Sequence, residues 1–244
     1  MTAVRQGLLL AQWQFRRQSQ SLPILVVVQI VMSVATVVGY GLLVGDLTAD
    51  AALFLATGAP TVTLITVGLV MTPQLVAQAK TEGSLDWMRT LPVPRSLFLF
   101  SDLLVWTVLA LPGTVLGIVA GVLRFDIELS LAPWVVVAAV LISLTSAAVG
   151  YAMANVLPPV IAQLMTQVLI FVVLLFSPVS FPAERMPEWL QSLHHVLPIE
   201  PMAQVMRAGL ANDVFGVPGR SVLVLCLWCG VSLVLALRAL RRRV

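Results

Sequence analysis

Six apolar stretches, each close to the length that crosses a lipid bilayer, leave this chain little else to fold into. They lie at about 23–43, 53–76, 97–123, 133–157, 160–176 and 221–240. A hydrocarbon core about 30 Å thick takes about 20 helical residues. The six stretches together take up more than half the chain. The whole is 59% hydrophobic and 10% charged, against roughly 45–50% and about 25% in a soluble domain. Lipid must therefore solvate much of the surface. We expect one all-α integral membrane domain over 1–244, with about six transmembrane helices, short loops and no room for a separate soluble domain.

The segments between the spans have distinct characters. Residues 1–20 are amphipathic: Val4, Leu8, Ala11 and Phe15 recur at helical spacing, with Trp13 nearby and Arg16 and Arg17 at the end. Such a helix suits the membrane interface. The apolar run after it is about 23 residues, too long for the 7–15 of a cleavable signal core, so it reads as a retained span opened by Pro23. Pro60 and Pro73 predict kinks in the second span. A polar stretch at 77–96 follows. Pro158 and Pro159 make a tight uncharged turn. Residues 177–220 are interrupted by six prolines. Short helices at 188–196 and 201–210 are too short to cross a bilayer, and they form either a cap or a re-entrant hairpin.

Charge sets an orientation. With six spans, one side receives the N-terminus, the 77–95 loop, the Pro158–Pro159 turn and the C-terminus. Its basic residues are Arg5, Arg16, Arg17, Lys80, Arg89, Arg95, Arg238, Arg241, Arg242 and Arg243; the other side has Arg124, Arg185, Arg207 and Arg220. The excess predicts both termini in the cytoplasm. The net charge of +3 thus belongs to membrane borders and implies no nucleic acid.

The energy source is constrained too. Ion-coupled carriers place ionisable residues inside the membrane despite the cost. No span here holds one at mid-depth; Asp102 lies near the cytoplasmic end of the third span. The single lysine, Lys80, has no Gly-rich loop before it, so the chain has no phosphate-binding loop of its own. Another subunit must supply the energy, or nothing is pumped.

The stretch Glu82-Gly83-Ser84-Leu85, followed by Leu91-Pro92-Val93-Pro94-Arg95, resembles the loop after the second span in type-2 ABC export permeases. The segment from Ser177 to Leu190, then Leu197-Pro198, is similar to that family's extracellular hairpin, and the amphipathic N-terminus to its interfacial connecting helix. The resemblance implies a permease subunit that works as a dimer, with an identical or homologous second permease and P-loop ATPase subunits. ATP and Mg would be bound by the partner ATPase, with no cofactor in this chain. It implies a bacterial plasma (inner) membrane location and cargo such as drugs or other amphiphiles. Drug efflux, with antibiotic resistance, is favoured for a path without charge.

By the same resemblance, Glu82, Gly83, Leu85, Asp86, Trp87, Met88 and Arg89 form a coupling helix that docks on the ATPase. Leu85, Trp87 and Met88 would be its apolar anchors, and Pro92 and Pro94 would stiffen its exit. The alternative is an ordinary solvated loop, with Trp87 and Met88 resting on headgroups. The family lines its substrate path with spans one, two and five. Polar or adaptable residues there are Gln29, Met32, Thr36, Thr63, Thr66, Gln163, Met165 and Gln167. The alternative role for each is a bond to a neighbouring helix within one subunit. Gly41 and Gly45, and Gly113, Gly117 and Gly121, make small-residue stripes that point to close helix packing.

Other chemistry finds less support. Cys226 and Cys229 form a Cys-x-x-Cys within an apolar span, where thiolates are disfavoured, so we expect buried, inert thiols. His194 and His195 have no companion ligands at metal spacing. A membrane protease needs a nucleophile and a base at membrane depth, and no histidine lies in a span. A channel or scaffold not driven by ATP remains the alternative; the cytoplasmic loop discriminates, since only an exporter needs it to bind an ATPase.

Overall fold

A computed structural model describes residues 3–18, 22–44, 48–84, 93–179, 181–183 and 186–241. Among them there is no strand. The helices are α1 (Ala3–Gln18), α2 (Leu22–Val44), α3 (Ala49–Thr81), α4 (Arg95–Phe125), α5 (Val135–Val156), α6 (Pro159–Phe176), α7 (Glu188–His194), α8 (Ile199–Leu210) and α9 (Gly219–Arg241). Helices α3, α4, α5, α6 and α9 are long and apolar enough to cross a membrane, and α2 adds a shorter apolar stretch, Pro23–Gly39. About six spans result.

Helix starts follow the prolines. Pro94, Pro158 and Pro187 stand immediately before α4, α6 and α7, where a fixed φ and a missing N–H cost nothing. At the far end of α4, Asp126 adopts a left-handed conformation (φ 50°) and its N–H bonds to the Val122 carbonyl. That closes the helix as a C-cap.

Helix α3 is the axis of the fold: every residue from Leu55 to Ile65 is buried. On one side α4 packs against it and also against α1 and α2; on the other lie α5 and α8. Helix α5 packs extensively on α9, while α6 leans on the second half of α3. One end of the bundle gathers the end of α3, the start of α4 and the ends of α5 and α9 (the loop end). The other carries the 177–218 segment (the hairpin end).

The predicted kinks resolve differently at the two prolines. Helix α3 continues through Pro60 and widens into a π turn over Thr66–Met71, just before Pro73. The Thr72 N–H bonds to the Val67 carbonyl, five residues back, and the Thr72 hydroxyl donates to the same oxygen at 3.1 Å. A proline ring would clash with the carbonyl four residues earlier; widening the turn removes that clash and keeps the backbone bonded.

The 177–218 segment is a hairpin tucked among the spans rather than a cap laid over them. All residues of α8 except Gln204 are buried, against α3, α5 and α9. The Trp228 indole donates to the Val196 carbonyl at 2.7 Å, about 13 Å along α9 from its start at 1.5 Å per residue. Cys226 departs from expectation. Only Cys229 is buried, and Cys226 faces outward, both as free thiols, because α9 buries a narrow strip of its surface.

Candidate functional site

The loop that follows α3 is built from its flanks. The Glu82 N–H closes the last turn on the Gln78 carbonyl at 2.9 Å, and Gly83, at φ 71°, turns the chain away with its N–H 3.2 Å from the Lys80 carbonyl. Left-handed φ at this position is what favours glycine at a helix end. The Gln78 amide donates to the Glu82 carboxylate at 2.6 Å, and the Ser84 hydroxyl to the Ala79 carbonyl at 3.1 Å. Glu82 and Gly83 are exposed. Leu85, Asp86, Trp87, Met88 and Arg89 lie outside the described residues, as does Gly45.

The flanks are tied to two other spans. Lys80, half-buried, donates through Nζ to the Ala154 carbonyl in the last turn of α5 at 2.5 Å. Arg95, half-buried, donates to the Leu240 carbonyl in the last turn of α9 at 2.6 Å. Carbonyls in a last helical turn lack intrahelical donors, and a cation there also meets the negative end of the helix dipole. For Ala154 the missing donor is explicit, because the residue four positions on is Pro158.

The eight candidate path residues fall into separate places. Gln29 is buried between α2 and α4, donating to the Leu109 carbonyl at 2.9 Å and accepting from the Gly113 N–H at 3.0 Å. Ser33, one turn on, meets the Thr63 hydroxyl at 2.6 Å and donates to the Gly113 carbonyl at 3.2 Å. Thr36 and Thr66 bond to carbonyls of their own helices, and Met32 is half-buried. Gln163, Met165 and Gln167 instead lie exposed on α6. Behind them Thr166 is buried and accepts from the Gln74 amide at 3.2 Å, which holds α6 to α3.

The stripe on α4 sits where α2, α3 and α4 pack closely. A Cβ on Gly113 would come within 2.4 Å of the Gln29 amide oxygen, one on Gly121 within 2.8 Å of the Ala56 Cβ, and one on Gly117 within 3.1 Å of the Ser33 hydroxyl. Gly41 is buried on α2. Replacing Gln29 by leucine removes two bonds between α2 and α4. It is expected to destabilise the fold by about 1 kcal/mol, within the range for interhelical bonds in membranes. A thermal melt in detergent that matches the parent chain would show those bonds to be neutral.

A polar cluster in the hairpin escaped the sequence reading. The Glu200 carboxylate, 4% exposed, accepts from the Gln204 amide at 2.8 Å and lies 3.3 Å from the His195 Nδ1. The Ser221 hydroxyl donates to Gln204 in turn, which links α8 to α9. The buried His194 donates from Nε2 to the Phe176 carbonyl at 2.7 Å. Arg207 is buried across α3 and the 178–179 turn. The 4- and 3-residue spacing of Glu200, Gln204 and Arg207 was visible as one polar helical face, but it reads equally as a solvated one. Nearby, the exposed Asp213 carboxyl is held below its ordinary value, chiefly by the Ser130 hydroxyl donating to it.

In the spans, charged side chains stay near the ends, with Asp102 two turns into α4. The described residues thus form a helical membrane bundle with a buried hairpin at one end. A comparison with curated proteins finds no match. A comparison with protein families finds ABC-2 type transporter over residues 5–211, which takes in most of α1, then α2 through α8 and the 81–95 loop. The chain belongs to the ABC-2 type transporter family, as a membrane-spanning permease component.

Proposed function

We propose that this permease moves a lipophilic or amphiphilic cargo out of the cytoplasm, drug efflux being the favoured activity, under power from a separate ATPase subunit. The family match across residues 5–211 carries the reading. ATP and Mg are held by the ATPase, which docks on residues 82–91 with Leu85, Trp87 and Met88 as anchors and Glu82, Asp86 and Arg89 at the rim. Both termini face the cytoplasm of a bacterial cell, as the basic residues favour. Two permeases, identical or homologous, enclose the path. The exposed α6 face supports a lipophilic cargo: Gln163 and Gln167 stand among Val160, Leu164, Val168 and Phe171, a surface with amides for orientation and no charge to desolvate.

The test is co-purification. The tagged chain is taken from its native membranes in mild detergent beside a Leu85→Asp, Trp87→Asp variant, and partners are identified by mass spectrometry. A P-loop ATPase is expected with the native loop. Its association should fall at least about thirty-fold in the variant, the equivalent of one anchor side chain at ~2 kcal/mol. Absence of any ATPase with the native chain, where other membrane complexes survive, would leave a channel or scaffold as the better account.

A further inference from the structure

We propose that Lys80 and Arg95 are positioning residues that clamp the 81–95 loop to α5 and α9, so that a push on the loop is delivered to the hairpin through those two spans. This rests on the reading of the loop as the ATPase dock. The two basic residues bracket the loop, one at the end of α3 and one at the start of α4. Each reaches out of its own helix to a last-turn carbonyl of a different span, Ala154 on α5 and Leu240 on α9. Helices α5 and α9 pack on each other extensively, and both pack on α8 at the other end of the bundle.

The hairpin is bonded to the same pair of elements. The Ala132 N–H, just before α5, donates to the Gly209 carbonyl at 2.9 Å. On α9, Ser221 donates to Gln204 and Trp228 to the Val196 carbonyl. The backbone hands a push on the loop to α3 and α4, which themselves pack on α5 and, less, on α9. The clamps add a direct bonded hold on the last turns of α5 and α9, and the hairpin has direct bonds to those. Helices are stiff along their axes and their packed interfaces switch as units, so two short cation–carbonyl bonds suffice to recruit the pair. Glutamine at both positions keeps a donor but loses the charge and the reach.

The experiment uses the assembled permease–ATPase complex in lipid nanodiscs. Trp189, exposed on α7, becomes the reporter as Trp189→Cys in a Cys226→Ser, Cys229→Ser background. Its rate of reaction with a maleimide is measured with and without ATP and vanadate. With native clamps the rate is expected to change about fivefold, the low end of typical coupling between sites. Lys80→Gln with Arg95→Gln should keep the ATPase bound and hydrolysing ATP while the nucleotide dependence of the rate is lost. Lys80→Arg with Arg95→Lys should restore it.

A glutamine pair that holds the ATPase and still shows the full response overturns the clamp. So does a pair that no longer binds the ATPase, since the contacts then serve assembly. So, too, does a cation-retaining pair that stays unresponsive. Failure of the docking reading has a different signature: no ATPase with the native chain.

Discussion

Replacing Arg207 by methionine is expected to destabilise the folded chain by about 3 kcal/mol, read as a fall of roughly 6–12 °C in a detergent melting curve for a chain of this size. The side chain is 4% exposed. Its guanidinium carbon lies 3.4 Å from the centroid of the Phe54 ring, and that ring meets Phe215 edge-on at 6.5 Å. The same guanidinium donates to the Pro178 carbonyl at 3.3 Å and to the Val179 carbonyl. One side chain thus holds together α8, the turn after α6, the start of α3 and the segment before α9.

A desolvated cation–π contact contributes about 2 kcal/mol or more, and hydrogen bonds from a charged donor about 1.5–3 kcal/mol. Methionine recovers the cost of burying the charge, which is why the net stays below that sum. It also leaves two turn carbonyls without this donor. Lysine keeps the charge but has no flat face for Phe54, so Arg207→Lys should recover less than half the loss. A melt of Arg207→Met within about 2 °C of the parent, equivalent to under 1 kcal/mol, would mean that packing alone holds the hairpin.

Arg207 also shows where reading the sequence runs out. The spans were legible because lipid imposes a length and a composition, and their ends because proline dictates where helices begin. Pro187 announced α7, and the apolar run after Pro94 announced α4. The burial of α8 was not legible. Glu200, Gln204 and Arg207 share a face whose partners come from Ser221, Phe54, Pro178 and Val179, and no local periodicity encodes partners that distant. Gln29 illustrates the same limit. An amide in a span is compatible with a path or with a helix–helix bond, and only the position of Gly113 on α4 decides which groups it meets. The docking role proposed for Leu85 to Arg89 rests on the sequence, whereas the contacts of Lys80 and Arg95 emerged only from the ends of α5 and α9.

The tightest fit of a described glycine against neighbouring backbone gives the second large effect. Gly150→Ala is expected to cost about 3 kcal/mol, the upper end for overpacking, and Gly150→Leu to abolish a folded peak in size exclusion. A Cβ on Gly150 would lie 2.1 Å from the Gly68 carbonyl oxygen and 2.9 Å from the Pro73 Cδ. Neither neighbour can yield cheaply. Gly68 belongs to the π turn, and Pro73 is the residue that the turn accommodates. In that widened register the Gly68 carbonyl would take its hydrogen bond from Pro73, which has no N–H.

Gly68 faces the same restriction from the other side, with a Cβ landing 2.1 Å from the Ser146 hydroxyl oxygen and 2.5 Å from the Ala147 nitrogen. The controls are Gly39→Ala and Gly230→Ala, where nothing lies within 4 Å. Alanine there should be neutral or stabilising by up to about 1 kcal/mol, through helix propensity. If Gly150→Ala melts with those controls, α3 and α5 can separate at little cost, and the π turn is a soft hinge between them. If it melts far below them, the turn is a fixed contact, and α3 and α5 move together when the loop end is pushed.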